Sequence, residues 1–292
     1  MKIAIYSRGI ENNQLQDIGQ LIEHLINKGV QPVFYQDFFN QFYSSIKLKG
    51  QYSTFNSYEE LDSSIDCLIS LGGDGTLLDT VTLVRDSGIP VLGINYGRLG
   101  FLANIGKEEI HAVIDAIAER KYVIDKRTLI HLESNMPLFG KTPYALNEFT
   151  IHKKDISPMI KIHTYLNGAF LNTYWADGLI VSTPTGSTGY SLSCNGPVLF
   201  PESSCFVITP VAPHNLNIRP IIVPDNTIVS FEVEGRTDGF LCTLDSRREL
   251  VNKDIQIAVK KEGFDINLIR MNENNFLQTL RDKLSWGLDK RN

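Results

Sequence analysis

Ten residues, Ser70 to Asp79 (SLGGDGTLLD), constrain this chain more than any other stretch. They close a short apolar run, Ile65 to Leu71, that reads as a buried strand, and they open a segment, Thr76 to Ser87, that reads as a helix. Between the two, Gly72, Gly73 and Gly75 surround Asp74. Glycines at a strand-to-helix turn let backbone N–H groups approach a ligand closely, and a helix N-terminus favours anions. A carboxylate among such amides opposes anion binding by charge alone. It makes chemical sense when Asp74 has a proton to take or a cation to hold, which is what phosphoryl transfer with a positioned base asks for. Gly-Asp-Gly is also ordinary turn chemistry, so the loop by itself leaves both readings open. It is not a P-loop, because no Lys-Ser/Thr follows at the needed spacing, and it is not a G-x-G-x-x-G dinucleotide fingerprint.

The flanking sequence says what kind of sheet this turn belongs to. Lys2 to Ser7 is dense enough in apolar residues for a central parallel strand. Gln14 to Lys28 places Leu15, Ile18, Leu21, Ile22, Leu25 and Ile26 on one helical stripe, with Gly29 as the stop. Val33 to Tyr35 and Pro90 to Asn95 read as further strands, and Gln36 to Ser57 as a loop with a single helical turn. Strand alternating with helix is the pattern of an open α/β sheet, whose ligands sit beyond the carboxyl ends of the strands. Gly72–Gly75 and Asn95–Phe101 (NYGRLGF) both fall at such ends.

Past Gly106 the periodicity changes. One helix, Glu108 to Arg120, is followed by short alternating strands from Val123 to Arg270, with hairpin signals at Asn167-Gly168 and Thr237-Asp238-Gly239. This predicts an all-β, sandwich-like domain. A last amphipathic segment, Asn275 to Leu284, carries Phe276, Leu277, Leu280 and Leu284 on one face and needs a surface to pack on, for which the α/β domain serves. The expected division is therefore 1–105 α/β, 106–270 β-rich, and 271–292 a helix returning to the first domain.

Two further stretches offer chemistry. Asp177 to Tyr190 (DGLIVSTPTGSTGY) brings hydroxyls from Ser182, Thr183, Thr185, Ser187, Thr188 and Tyr190 together with Gly186 and Gly189. Such a loop suits ribose hydroxyls, phosphates and a base edge, or it is a polar surface loop. Asp177 can accept from a ligand or cap a turn. Asn147-Glu148 interrupts a strand-like run, so one of the two points toward an interior or cleft, or the pair lies on an edge facing water. Trp175 stacks on a ring or anchors its hairpin.

Composition excludes other classes. With 292 residues, 42% apolar and 21% charged, the chain is of ordinary globular make-up, and a net charge of −5 provides no basic field for nucleic acid or an acidic membrane. No apolar run approaches ~18 residues, and no signal peptide is evident. Cys67, Cys194, Cys205 and Cys242 form no C-x-x-C pair and read as buried free thiols in a reducing compartment, so a cytoplasmic location is expected. The six histidines lack metal-ligand spacing, and no G-x-S-x-G elbow supports a serine hydrolase.

Taken together, GGDGT (Gly72–Thr76), NYGRLGFL (Asn95–Leu102), LNE (Leu146–Glu148) and DGLIVSTPTGSTGYSLS (Asp177–Ser193) resemble the motifs of the NAD kinase family, in that family's order, from about residue 65 onward. GGDGT alone is shared with diacylglycerol-type lipid kinases, the alternative reading. The resemblance implies an α/β domain, a β-rich domain and a closing C-terminal segment. It also implies ATP-dependent phosphorylation of the adenosine ribose 2′-hydroxyl of NAD, with Mg²⁺ or another divalent cation arriving on ATP, in a homo-oligomer, dimer or tetramer. By the same resemblance Asp74 is the base, with Gly72, Gly73, Gly75 and Thr76 beside the ligand and Phe101 against adenine. Asn147 and Glu148 bond ribose, and Asp177 meets the nicotinamide end. Thr185, Thr188, Gly189, Tyr190, Ser191, Leu192 and Ser193 surround the other base and ribose, with Ala212 nearby. The chain departs from the family at Asp79, where a basic residue is common, at Trp175, and at Gly189, where alanine is common.

Overall fold

The first strand, β1 (Lys2–Tyr6), buries Ile3, Ala4 and Ile5 completely, as its apolar density requires of a strand covered on both faces. There follow α1 (Leu15–Asn27), β2 (Gln31–Tyr35), α2 (Gln36–Phe42), β3 (Ser53–Phe55), β4 (Cys67–Leu71), α3 (Asp74–Val84), β5 (Val91–Asn95), β6 (Ile105–Gly106) and α4 (Ile110–Ala118). The strands run parallel in the order β3-β2-β1-β4-β5, with β6 on β5. This is a doubly wound sheet whose winding reverses between β1 and β4, the point where such sheets open a ligand crevice. The computed structural model describes residues 1–9, 11–43, 45–46, 52–97, 100–154, 158–235, 239–271 and 276–286.

One stripe of α1, Ile18, Leu21, Ile22 and Leu25, is fully buried. Removing such side chains from water contributes roughly 1.5–3 kcal/mol each. Val113, Ile114 and Ile117 of α4 belong to the same core, which draws residues 106–126 into the first unit. The chain divides into Met1–Lys126 with Ile266–Asn292, and Arg127–Asp265, rather than at 105 and 270 as the change of periodicity predicts. The reading of Gln36–Ser57 as a loop is also corrected. Phe38 and Phe42, four apart and both fully buried, pack their rings 6.4 and 5.3 Å from Phe34 and make α2 a helix, and β3 adds an edge strand.

The second unit is a sandwich. Its elements are β7 (Val123–Ser134), β8 (Tyr144–Ala145), β9 (Glu148–Lys153), β10 (Ile160–Leu166), β11 (Ala169–Ala176), β12 (Gly178–Ser182), α5 (Tyr190–Ser193), β13 (Cys205–Val211), β14 (Ile221–Pro224), β15 (Val229–Glu234), β16 (Gly239–Leu244), β17 (Arg247–Asn252) and β18 (Ile257–Arg270). One sheet has the antiparallel order β14-β13-β12-β9-β16-β17, and the other includes β11, β10, β15 and the start of β18. Phe149 and Phe231, one from each sheet, meet at 5.9 Å inside the shared core.

Asn167 (φ +49) and Gly168 (φ +82) make the left-handed turn that the Asn-Gly pair predicts between β10 and β11. The second hairpin is corrected. Thr237 and Asp238 lie outside the described residues, and β15 and β16 on either side belong to different sheets. The strands expected at 255–259 and 266–270 are one long strand, β18, whose end pairs in the first unit, Leu268 against Val91. α6 (Phe276–Leu284) closes the first unit with Leu280 buried; Asn275 lies outside the described residues. Among the described residues no helix is long and apolar enough to cross a membrane.

Candidate functional site

In the first unit the glycine loop is built as a tight turn that only glycine allows. Gly72 has φ +147, and a Cβ there would lie 2.5 Å from Thr76 Oγ1. The helix begins at Asp74, earlier than predicted, so the carboxylate sits in the first turn of α3. Its oxygens accept three successive backbone N–H groups: Phe101 to Oδ2 at 2.8 Å, and Leu102 and Ala103 to Oδ1 at 3.0 and 2.9 Å. A Cβ on Gly100 would stand 1.8 Å from Asp74 Oδ1, so the close approach of this segment requires glycine. Each carboxylate oxygen has two lone pairs, which leaves one direction on Oδ2 for a proton.

Around this turn a cleft of about 430 Å³ opens at the reversal point of the sheet, lined by Ser7 and Gly9 after β1, Gly72, Gly73 and Thr76 after β4, and Asn95 and Tyr96 after β5. Asn95 Oδ1 accepts from Gly97 N–H at 2.8 Å, and the Tyr96 hydroxyl is buried without a hydrogen-bond partner among the described residues. Asp79, at the position where a basic residue was expected, holds one. Its carboxylate takes the Arg8 guanidinium on both oxygens (Nη2 to Oδ1 at 2.6 Å), and the Tyr6 hydroxyl at 3.0 Å. The Arg8 Nη1 lies 3.3 Å from where a Gly75 Cβ would be, so a cation stands beside the loop, supplied by the segment after the neighbouring strand β1. Arg8 was not singled out by sequence, because its partner is 71 residues away.

In the second unit, Asn147 and Glu148 stand where β9 begins, and Gly186, Gly189 and Tyr190 come to them. A Cβ on Gly186 would be 2.2 Å from the Asn147 carbonyl oxygen, and one on Gly189 3.2 Å from Glu148 Oε2. The Tyr190 N–H donates to the Glu148 carboxyl. Asn147 Oδ1 and Glu148 Oε2 are buried with no hydrogen-bond partner among the described residues. Burial first, and the charge of Asp245 second, push the Glu148 carboxyl up to about 8. Both observations mark a place where a ligand's polar groups are missing.

The hydroxyl-rich stretch is not a loop. Thr185–Thr188 is a 3₁₀ turn running into α5. Most of its hydroxyls hold it together. Thr183 Oγ1 donates to Leu146 O at 2.6 Å, Ser187 Oγ to Pro184 O at 2.7 Å, and Ser191 Oγ shares a hydrogen bond with Thr209 Oγ1 at 2.8 Å. Thr185 Oγ1 accepts from Arg127 at 3.3 Å. Thr188 Oγ1 donates to Thr185 O at 3.3 Å, while Ser193 and the Tyr190 ring are exposed and Leu192 is half-buried.

Asp177 and Ala212 are not beside Asn147-Glu148. Ser182 pairs with Glu148 and Gly178 with His152, which puts Asp177 at the other end of the β9–β12 pair, ~17 Å along the strands. There it binds Lys153 Nζ at 2.9 Å, and Ala212 follows Val211 with φ +46. Tyr190 lies between these ends: its phenol is raised by burial, by Cys194, and by the charges of both Asp177 and Glu148. Trp175 packs against His214 with the rings tilted by 49° and their centroids 4.6 Å apart. All four cysteines are free, with Cys67 pushed by burial up to about 12. Among the described residues no three His, Cys, Asp or Glu gather as a metal site.

A doubly wound sheet with a carboxylate-bearing glycine turn at its reversal point, joined to a β-sandwich, is a nucleotide-binding architecture. Residues 14–122 match the ATP-NAD kinase N-terminal domain and residues 146–271 the ATP-NAD kinase C-terminal domain. The chain is 49% identical over 294 residues to an NAD kinase of Flavobacterium psychrophilum and 38% identical over 291 residues to one of Bacteroides fragilis, covering 100% of both partners in each case. Its fold resembles a yeast NADH kinase solved with NADH (TM-score 0.88, 21% identity, 99% of this chain and 88% of that one). It also resembles an Archaeoglobus fulgidus NAD kinase solved with ATP (TM-score 0.75, 23% identity, 98% and 99%). The chain belongs to the NAD kinase family.

Proposed function

We propose that this protein transfers the γ-phosphoryl group of ATP to the 2′-hydroxyl of the adenosine ribose of NAD, giving NADP and ADP. The observation that carries the reading is Asp74, fixed by three backbone amides with one lone-pair direction left on Oδ2. As the bond from the ribose oxygen to phosphorus forms and the β–γ bridging bond of ATP breaks, the hydroxyl proton passes to that oxygen. A positioned base of this kind contributes roughly 10²–10⁴-fold. Arg8 presents its charge to the donor's phosphates beside Gly75. Asn147 and Glu148 bond a ribose through the two acceptors that lack partners. Phe101 lies against adenine, and Asp177 with Ala212 takes the nicotinamide end. Residues 185–193 surround the other base and ribose, the inward-turned Ser191 through its backbone.

In this reading a divalent cation arrives on the nucleotide. When bound, Mg²⁺ on the phosphates supplies neutralisation of the charge that develops during transfer. The same reading places the protein in the cytoplasm, in keeping with four free thiols, and assembles it as a dimer or tetramer, for which the exposed Phe170, Trp175, Leu216 and Ile222 of the second unit offer apolar surface. Purified protein given ATP and Mg²⁺ with either NAD or diacylglycerol tests the reading. NADP formation is expected in the first arm only; lipid phosphorylation without NADP would make the glycine loop that of a lipid kinase.

A further inference from the structure

One further carboxylate has no part in the chemistry above. Asp245 sits in the two-residue turn between β16 and β17, at φ +52, a backbone conformation that a residue other than glycine holds only when its surroundings demand it. The residue is half-buried, and its carboxylate accepts three successive backbone N–H groups: Leu146 at 2.9 Å, Asn147 at 2.8 Å and Glu148 at 3.2 Å. Its own N–H donates to Glu148 O at 3.1 Å. Two residues on, Arg247 donates to Thr142 O and Oγ1 at 2.5 and 2.8 Å and to Tyr144 O. One turn thus grips the whole segment from Thr142 to Glu148, and the residues it grips last carry the unpartnered Asn147 Oδ1 and Glu148 Oε2.

We propose that Asp245 is a positioning residue for dinucleotide binding: through the backbone of residues 146–148 it sets the Asn147 and Glu148 side chains against a ribose of the acceptor. This rests on the reading of the protein as an NAD kinase. A simple turn needs no charge, and a carboxylate drawn out of water in a left-handed turn is costly unless it is hydrogen-bonded. Here both oxygens accept, from three amides in all, with the Arg247 charge nearby. The groups facing Glu148 are Asp245 from the β16–β17 turn and the N–H and phenol of Tyr190 from α5, with Arg247 beside Asp245. The Asp245 charge favours the neutral Glu148 carboxyl, which can both donate to and accept from a ribose diol.

The test is steady-state kinetics of NADP formation by Asp245→Asn, Glu148→Gln and the unaltered full chain across pH 6 to 9.5. The unaltered protein is expected to lose affinity for NAD as pH rises through about 8. In Asp245→Asn, KM for NAD rises at least ~10-fold while kcat changes less than ~3-fold, as for lost binding rather than lost chemistry. The break in its pH profile moves lower, since a like charge has been removed. Glu148→Gln, which keeps the shape and removes the titration, loses the break. An unchanged KM and break in Asp245→Asn, a loss confined to kcat, or a break near 8 surviving in Glu148→Gln overturns the proposal. If Asp245→Asn does not fold, Glu148→Gln alone decides. Absence of NADP formation by the unaltered chain would instead remove the functional reading on which the proposal stands.

Discussion

Two aspartates in this protein do the same thing to the backbone and are placed to opposite ends. Asp74 and Asp245 each accept three successive N–H groups, residues 101–103 in one case and 146–148 in the other. Asp74 is half-buried at the start of a helix whose Gly73 and Thr76 line an open cleft, and its Oδ2 accepts one backbone N–H where Oδ1 accepts two. Asp245 is also half-buried but stands in a hairpin turn, and what it organises, Asn147 and Glu148, bears the unsatisfied groups instead. The same clamp presents the carboxylate itself in the first unit and presents its neighbours in the second. Placement in the fold, rather than hydrogen bonding, separates the two: one clamp lies in the first turn of a helix at the glycine loop, the other behind the residues it holds.

Substitutions can break that contrast at several strengths. Asp74→Asn should lower kcat by ~10²–10⁴-fold with NAD binding retained, measured by coupled NADP assay and calorimetry. A kcat within a few fold of the unaltered protein would remove Asp74 from the chemistry. Gly100→Ala and Gly186→Ala sharpen the comparison. Each puts a Cβ into one clamp, 1.8 Å from Asp74 Oδ1 or 2.2 Å from Asn147 O. The first should cost kcat up to ~10²-fold, and the second should raise KM for NAD by a similar factor, as displacement of a reacting or binding group by about 1 Å does. Equal effects on both parameters in both variants would erase the distinction.

Glu148 supplies a smaller effect through stability. Its carboxyl titrates at about 8 in the folded protein against 4.5 for an ordinary glutamate. Between those values the folded chain keeps a proton that the unfolded chain has lost, so its stabilisation is full below 4.5 and is gone once pH has risen through 8. Melting temperature should therefore fall from pH 5 to 8.5 by several degrees, at ~2–4 °C per kcal/mol, and Glu148→Gln should flatten that slope. Smallest of all, Ser191→Ala removes a buried hydroxyl bonded to Thr209 and should lower stability by ~1 kcal/mol in a denaturant titration, leaving KM for NAD near its original value.

Asp74 was legible in sequence as a candidate reacting group and Asp245 was not singled out, for a physical reason; neither clamp was legible. GGDGT announces itself because glycines, a carboxylate and a strand-to-helix change coincide within a few residues. Asn147-Glu148 was legible as a polar break in a strand. Asp245 lies in Leu-Asp-Ser-Arg, which reads as an ordinary turn; its role depends on residues nearly a hundred positions away. Arg8 is hidden in the same way, behind its pairing with Asp79. The hydroxyl-rich stretch misled in the opposite direction, since its composition suits a ligand but Thr183, Ser187 and Ser191 spend their hydroxyls on the fold. The α/β character of the first sheet and the sandwich of the second unit followed from periodicity, while the strand order did not. Gln36–Phe42 did not, because its helix rests on two phenylalanines meeting a distant core rather than on a clean stripe.

The account stands on where the phosphate goes. Incubating the purified protein with ATP, Mg²⁺ and NAD, and reading the product by phosphorus NMR alongside ADP release, measures this directly. The predicted result is one new phosphate monoester on the 2′-oxygen of the adenosine ribose for each ADP formed. ADP release without a phosphorylated dinucleotide, or a monoester at any other oxygen, would contradict it.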